Sequence, residues 1–251
     1  MLTRYFIHLA YNGTDFCGWQ IQPNDPTVQE TIEQALSTLY NKPVKVIGCG
    51  RTDTGVHASD FYAHTEVADN FSKKDLHYKL NNMLPRSIRI KNLYEVAANQ
   101  HARFDASSRT YRYQLSFIKQ PFHQDTYYKY DQAGRPDFDI MQQAAQLLLE
   151  YDAFFPFCKT HADTETYLCK LSHSEWTIVS ENEWHYTVSA DRFLRGMVRM
   201  IVGMTIKVGL GRISLKEIQS AMDNQIRLEK AWAVPAQGLF LAKITYPFID
   251  D

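Results

Sequence analysis

A chain of 251 residues, 45% hydrophobic and 13% aromatic, carries enough apolar surface for a packed core, which excludes an intrinsically disordered protein. Lysine and arginine number 27 against 28 acids, so the net charge of -1, taken as a sum, points away from a nucleic-acid binder. Cys17, Cys49, Cys158 and Cys169 form no Cys-x-x-Cys pair, no early apolar stretch resembles a signal peptide, and no apolar run approaches the roughly 20 residues that cross a bilayer. A reduced, cytoplasmic protein with no membrane segment is expected.

Tyr5 to Tyr11 is rich in aromatic and β-favouring residues and ends at Asn12-Gly13, which predicts a strand and a tight turn. Thr27-Val28-Gln29-Glu30 has capping-box spacing, and Val28, Ile32, Leu36 and Leu39 repeat at helical intervals. Val44 to Gly48 reads as a strand; after a glycine-rich loop, Phe61, Ala63, Thr65 and Val67 alternate as a second. Ser72 to Asp75 caps a helix with Leu76, Leu80 and Met83 inward, and Ile88 and Ile90 mark a closing strand. The order is β-α-β-β-α-β.

The second half repeats it. Tyr111, Tyr113, Leu115 and Phe117 alternate with polar neighbours in a period-two strand. Asp137 starts a helix with Ile140, Met141, Ala144, Leu147 and Leu148 on one side, and Trp176 to Val179 with Trp184 to Ala190 form a hairpin. Phe193 to Val208 and the capping box Ser214 to Glu217 are helical, and Leu239 to Tyr246 is the last strand. This predicts an α+β protein of two ferredoxin-like halves, residues 1–107 with a loop at 48–58, and residues 108–251. The halves share an extended, mostly antiparallel central sheet with helices packed on one side.

The charge is unevenly spread. Phe71 to Gln120 holds ten basic residues and three acids, and Arg192 to Leu215 holds Arg192, Arg195, Arg199, Lys207 and Arg212 with no acid. Any single lysine here reads best as solvated charge. Arg192, Arg195 and Arg199, however, are spaced to line one stripe of a helix that is otherwise apolar nearly all round, and inward-facing arginines require anionic partners from the protein or a ligand.

The most unusual local sequence is Gly48-Cys49-Gly50-Arg51-Thr52-Asp53-Thr54-Gly55-Val56-His57-Ala58. Three glycines permit sharp turns and close approach of a ligand around one carboxylate. The bland reading of Asp53 is an Asx-turn. A phosphate loop lacks the Walker and dinucleotide spacings, and a metal site built on His57 and Cys49 lacks a second ligand cluster. Asp53-Thr54-Gly55 also spells the aspartic-protease tripeptide. That chemistry needs two carboxylates sharing a proton, no second copy occurs, and Arg51 favours the ionised form, so a dimeric protease ranks low.

Gly50 to Ala58 resembles the catalytic loop of the tRNA pseudouridine synthase A family, and the likeness runs through nearly the whole chain. Tyr11-Asn12-Gly13-Thr14, Gly18-Trp19-Gln20, Gln22-Pro23, Leu80-Asn81 and Leu84-Pro85 resemble blocks of its first half. His101-Ala102-Arg103-Phe104, Ser108 to Tyr113, Phe193, Met197-Val198-Arg199, Ile201-Val202-Gly203, Pro235-Ala236 and Gly238-Leu239 resemble the rest. Thr54, where alanine is commoner, and the Arg195-Gly196 pair depart from the pattern.

The resemblance implies the pseudouridine synthase fold and isomerisation of uridine to pseudouridine in the anticodon stem-loop of tRNA, at positions 38 to 40. It implies no cofactor, no metal and a homodimer holding one tRNA. By the same match Asp53 is the catalytic aspartate and Tyr111 the aromatic that stacks on or deprotonates the uracil. Arg199 is the cation paired with Asp53, and Arg51 lies beside the extruded nucleotide. The alternative is a non-catalytic RNA-binding module that reads single strands on an aromatic sheet face and tolerates Asp53→Ala.

Overall fold

The computed structural model describes residues 2–132, 134–159, 165–229 and 231–249. In chain order its elements are β1 (Leu2–Tyr11), α1 (Val28–Tyr40), β2 (Ile47–Gly48), β3 (His57–Ala68), α2 (Lys73–Met83), β4 (Ile88–Val96), β5 (Ser108–Ser116) and β6 (Tyr128–Lys129). There follow α3 (Phe138–Leu147), β7 (Leu171–Ser180), β8 (Glu183–Ala190), α4 (Met197–Gly209), α5 (Leu215–Asp223) and β9 (Leu239–Thr245). The chain divides into two units, Met1–Ser107 with Phe240–Asp251, and Ser108–Leu239.

In the first unit β1 lies antiparallel between β4 and β3. The outer edge of β3 is divided: Ala63 and His64 pair with β2, while His57 and Ala58 pair in parallel with Phe240 and Leu241 of β9. The order β4-β1-β3-β2 is that of a split β-α-β unit. Both helices start on the hydroxyl caps that the sequence offered, Thr27 accepting from Glu30 N–H and Ser72 from Asp75 N–H. They bury Val28, Ile32 and Leu36, and Leu76 and Leu80. Asn81 of α2 ties the helix to β4, its Oδ1 accepting from Ile90 N–H at 2.9 Å while its Nδ2 donates to Ile90 O at 3.0 Å.

The second unit is ordered β5-β8-β7, antiparallel throughout, with β6 parallel to the end of β5. Helix α4 packs on α3, and Asp137 and Ser214 cap α3 and α5. Tyr113, Leu115, Trp176, Tyr186 and Val188 are buried together with Met141, Ala144, Ile201, Val202 and Met204. All four cysteines are free thiols. Mixed α+β structure with mostly antiparallel sheets is therefore the fold class.

Four local expectations are corrected. Val44 to Val46 is not strand, because helix α1 claims its backbone: Val44 N–H donates to Ser37 Oγ and Val46 N–H to Glu33 Oε1. Met83 and Ile140 point outward, and Leu84 and Ala145 are buried instead. The helix expected from Phe193 starts only at Met197, since Gly196 at its N-cap has φ +74°, a left-handed conformation that a right-handed helix does not continue. Arg192 and Arg195 thus precede the helix, and only Arg199 of the three lies on it.

Candidate active site

The loop carrying Asp53 is held by the segment that follows β1. Asn12 Oδ1 accepts from Thr14 N–H and closes an Asx-turn, which brings Gly13 N–H to 3.0 Å from Nδ1 of buried His57. Main-chain bonds then run in both directions, Gly55 N–H to Phe16 O at 3.2 Å and Trp19 N–H to Thr52 O at 3.4 Å. Tyr11 Oη and Thr52 Oγ1 lie 2.8 Å apart. The two backbones are so close that a Cβ on Gly13 would fall 2.0 Å from Val56 O, and one on Gly18, at φ +87°, would fall 2.2 Å from Thr52 O. Val56 N–H donates to Asp53 O at 3.1 Å, closing a turn around Gly55 at φ +76°. Asp53 is half-buried at the middle of this turn, and Arg51 is exposed.

Trp19 forms the wall behind the loop. Its indole stacks on Phe61 at 4.2 Å and fits only because residue 48 is glycine. The first unit holds a cavity of about 160 Å³ lined by Trp19, Gln20, Gly50, Arg51 and Arg103, among others. The sequence had offered Arg103 only as one member of a basic window and of a family block; nothing in the chain order links it to Arg51.

In the second unit Tyr111 stands on β5 opposite Val188, half-buried, with Phe193 edge-on at 5.1 Å. Two positions along, Tyr113 is fully buried, and burial pushes its phenol well above the ordinary range despite the opposing pull of nearby Arg199. Its hydroxyl donates to Pro235 O at 2.9 Å, so Tyr113 is structural and Tyr111 is the tyrosine with an accessible ring. Arg199, in the first turn of α4, donates from Nε to Val234 O at 2.6 Å and accepts from Val234 N–H at its own carbonyl. The guanidinium is thereby fixed on the segment that leads to β9. Asp53 and Arg51 belong to the first unit and Tyr111 and Arg199 to the second.

Among the described residues, no three His, Cys, Asp or Glu side chains are grouped to hold a metal ion. No described helix is long and apolar enough to cross a membrane.

Residues 144–247 match the family described as tRNA pseudouridine synthase. The chain is 43% identical to the tRNA pseudouridine synthase A of Bacteroides thetaiotaomicron, over 98% of this chain and 91% of that one. The chain belongs to the tRNA pseudouridine synthase A family. The enzyme of that name from Parabacteroides distasonis is 43% identical over 98% of this chain and 97% of its own length, and that of Bacteroides fragilis 42% over 97% and 96%. Pseudouridine synthases are isomerases, and alignment over nearly the full chain takes in both units of this family member. The mixed α+β architecture is the one that the family resemblance implied.

Proposed function

We propose that this chain converts uridine to pseudouridine in the anticodon stem-loop of tRNA, at positions 38 to 40, with Asp53 as the catalytic carboxylate. The observation that carries the reading is the backbone lacing of the Asp53 loop, in a chain so similar along its length to tRNA pseudouridine synthases A. Such lacing preorganises a reacting group, which lowers the entropic part of a barrier.

The reaction breaks the C1'–N1 bond and joins C5 to C1', while C5 loses a proton and N1 gains one. Nothing is added or removed overall. One carboxylate suffices, acting at the sugar as nucleophile or as base. A uridine stacked in a stem must be extruded to reach it, at a cost of a few kcal/mol. Arg51, two residues before Asp53 in the same loop, is exposed, and its role in this reading is to stand beside the extruded nucleotide. Tyr111 stacks its accessible ring on the uracil, and Arg199 supplies a fixed cation for binding the substrate. The enzyme works in the cytoplasm as a homodimer and uses no cofactor.

The test is pseudouridine formation on an unmodified tRNA transcript, followed by base-specific chemical detection. The wild type modifies the anticodon stem-loop, and Asp53→Asn binds tRNA yet forms no product. Turnover by Asp53→Asn with its fold intact would remove Asp53 from the mechanism. A wild type that binds tRNA and modifies nothing would favour the non-catalytic RNA module.

A further inference from the structure

The cavity beside the Asp53 turn is lined by two polar groups, Arg103 and Gln20, to which the isomerisation gives no part. Arg51 and Arg103 both line it, and none of its lining residues is acidic. Guanidinium forks match the paired oxygens of a phosphate. Gln20 completes the polar wall. Its Nε2 donates to Gln29 Oε1 at 2.9 Å, and Gln29 is held in turn by Glu33 and Val46 O, which leaves the Gln20 amide oxygen to accept from a ligand.

The glycines on the cavity wall give a second, independent indication. At Gly48 a Cβ would lie 2.5 Å from the Trp19 indole, so the protein's own packing demands glycine there. At Gly50 a Cβ would meet nothing within 4 Å, and the backbone is not left-handed. Neither packing nor conformation requires glycine at position 50. A bare Cα on a cavity wall, with the chain asking nothing of it, is what close approach of a ligand to the backbone requires.

We propose that this cavity is a subsite for one RNA nucleotide flanking the isomerised uridine. Arg51 and Arg103 hold its phosphate, Gln20 takes a base N–H, and the nucleotide passes over Gly50. This rests on the reading of Asp53 as the catalytic residue, since it is the Asp53 loop that the cavity adjoins.

The experiment measures equilibrium binding of an anticodon stem-loop RNA, intact or with single methylphosphonate linkages, to wild type, Gly50→Ala and Arg103→Gln. Pseudouridine formation is scored on the same samples. In the wild type, one neutralised linkage next to the target uridine weakens binding about tenfold, the usual scale for a lost charged hydrogen bond. Arg103→Gln weakens binding of intact RNA by about the same factor and no longer responds to that linkage. Gly50→Ala keeps the wild-type melting temperature and also binds about tenfold more weakly. Wild-type affinity in both variants, or linkage and Arg103 penalties that simply multiply, would overturn the subsite. Wild type that shows the linkage pattern without forming pseudouridine would refute the reaction and keep the subsite. Turnover without the pattern would do the reverse, and no binding at all would sink both.

Discussion

Gly18→Ala should damage the enzyme far more than the loss of one glycine elsewhere, and the structure gives the reason in two separable parts. Residue 18 has φ +87°, and holding an L residue in left-handed backbone costs about 1 to 2 kcal/mol. The added methyl would also lie 2.2 Å from Thr52 O, against an ordinary carbon to oxygen contact of about 3.3 Å, so the loop must retreat by about 1 Å. Overpacking of that kind adds about 1 to 3 kcal/mol, for a total of about 2 to 5 kcal/mol. Asp53, the proposed catalytic carboxylate, follows Thr52 directly, and a shift of about 1 Å at a reacting group costs about a hundredfold in rate. Two controls separate the parts. Gly211→Ala carries only the conformational penalty, at φ +66° with nothing within 4 Å, and should lose about 1 to 2 kcal/mol of stability with unchanged turnover. Gly13→Ala carries only the clash, 2.0 Å from Val56 O, and should resemble Gly18→Ala in turnover. Urea unfolding gives the stabilities, and pseudouridine formation under conditions where each variant is folded gives the rates. If Gly18→Ala proved as mild as Gly211→Ala in both, the close backbone contact would not be what positions the Asp53 loop.

Three further outcomes follow from other parts of the molecule. Thr205→Val should cost about 1 to 3 kcal/mol in urea unfolding despite its near-equal volume, because the buried Trp176 indole N–H loses its acceptor at 3.1 Å; a neutral result would mean that the indole finds another. Burial, aided by His101 and Arg4, holds His64 down to about 4 from an ordinary 6.5, with Nδ1 accepting from Ala102 N–H. The folded chain then binds fewer protons than the unfolded one between those values. Its contribution is complete above pH 6.5 and is lost as pH falls toward 4, so His64→Gln should flatten the acid side of the stability profile. Affinity for the stem-loop RNA should fall with salt by a log–log slope of about 0.7 to 0.9 per phosphate contacted, and a flat response would remove the basic windows from the binding surface.

What the sequence made legible was local, and what it concealed was set at a distance. The caps Thr27, Ser72, Asp137 and Ser214 act where their spacing placed them, because each answers a backbone donor three residues away. Strand β2 was overextended because nothing near Val44 and Val46 shows that Ser37 and Glu33 will take their N–H groups first. The apolar period ran through Gly196 and hid a helix start that the glycine itself could have marked. Within the Asp53 loop the density of glycine was visible, yet the reason for each glycine was not. Gly13 and Gly18 are glycine because another stretch of backbone lies against them, and Gly48 because Trp19 does. The same accounting leaves Gly50 without an internal cause, and tertiary structure alone brings Arg103 to the cavity that Gly50 lines. A position whose residue type the chain itself does not demand is where the demand of a bound molecule is to be sought. That separates the part of the loop that builds the Asp53 turn from the part proposed to meet RNA.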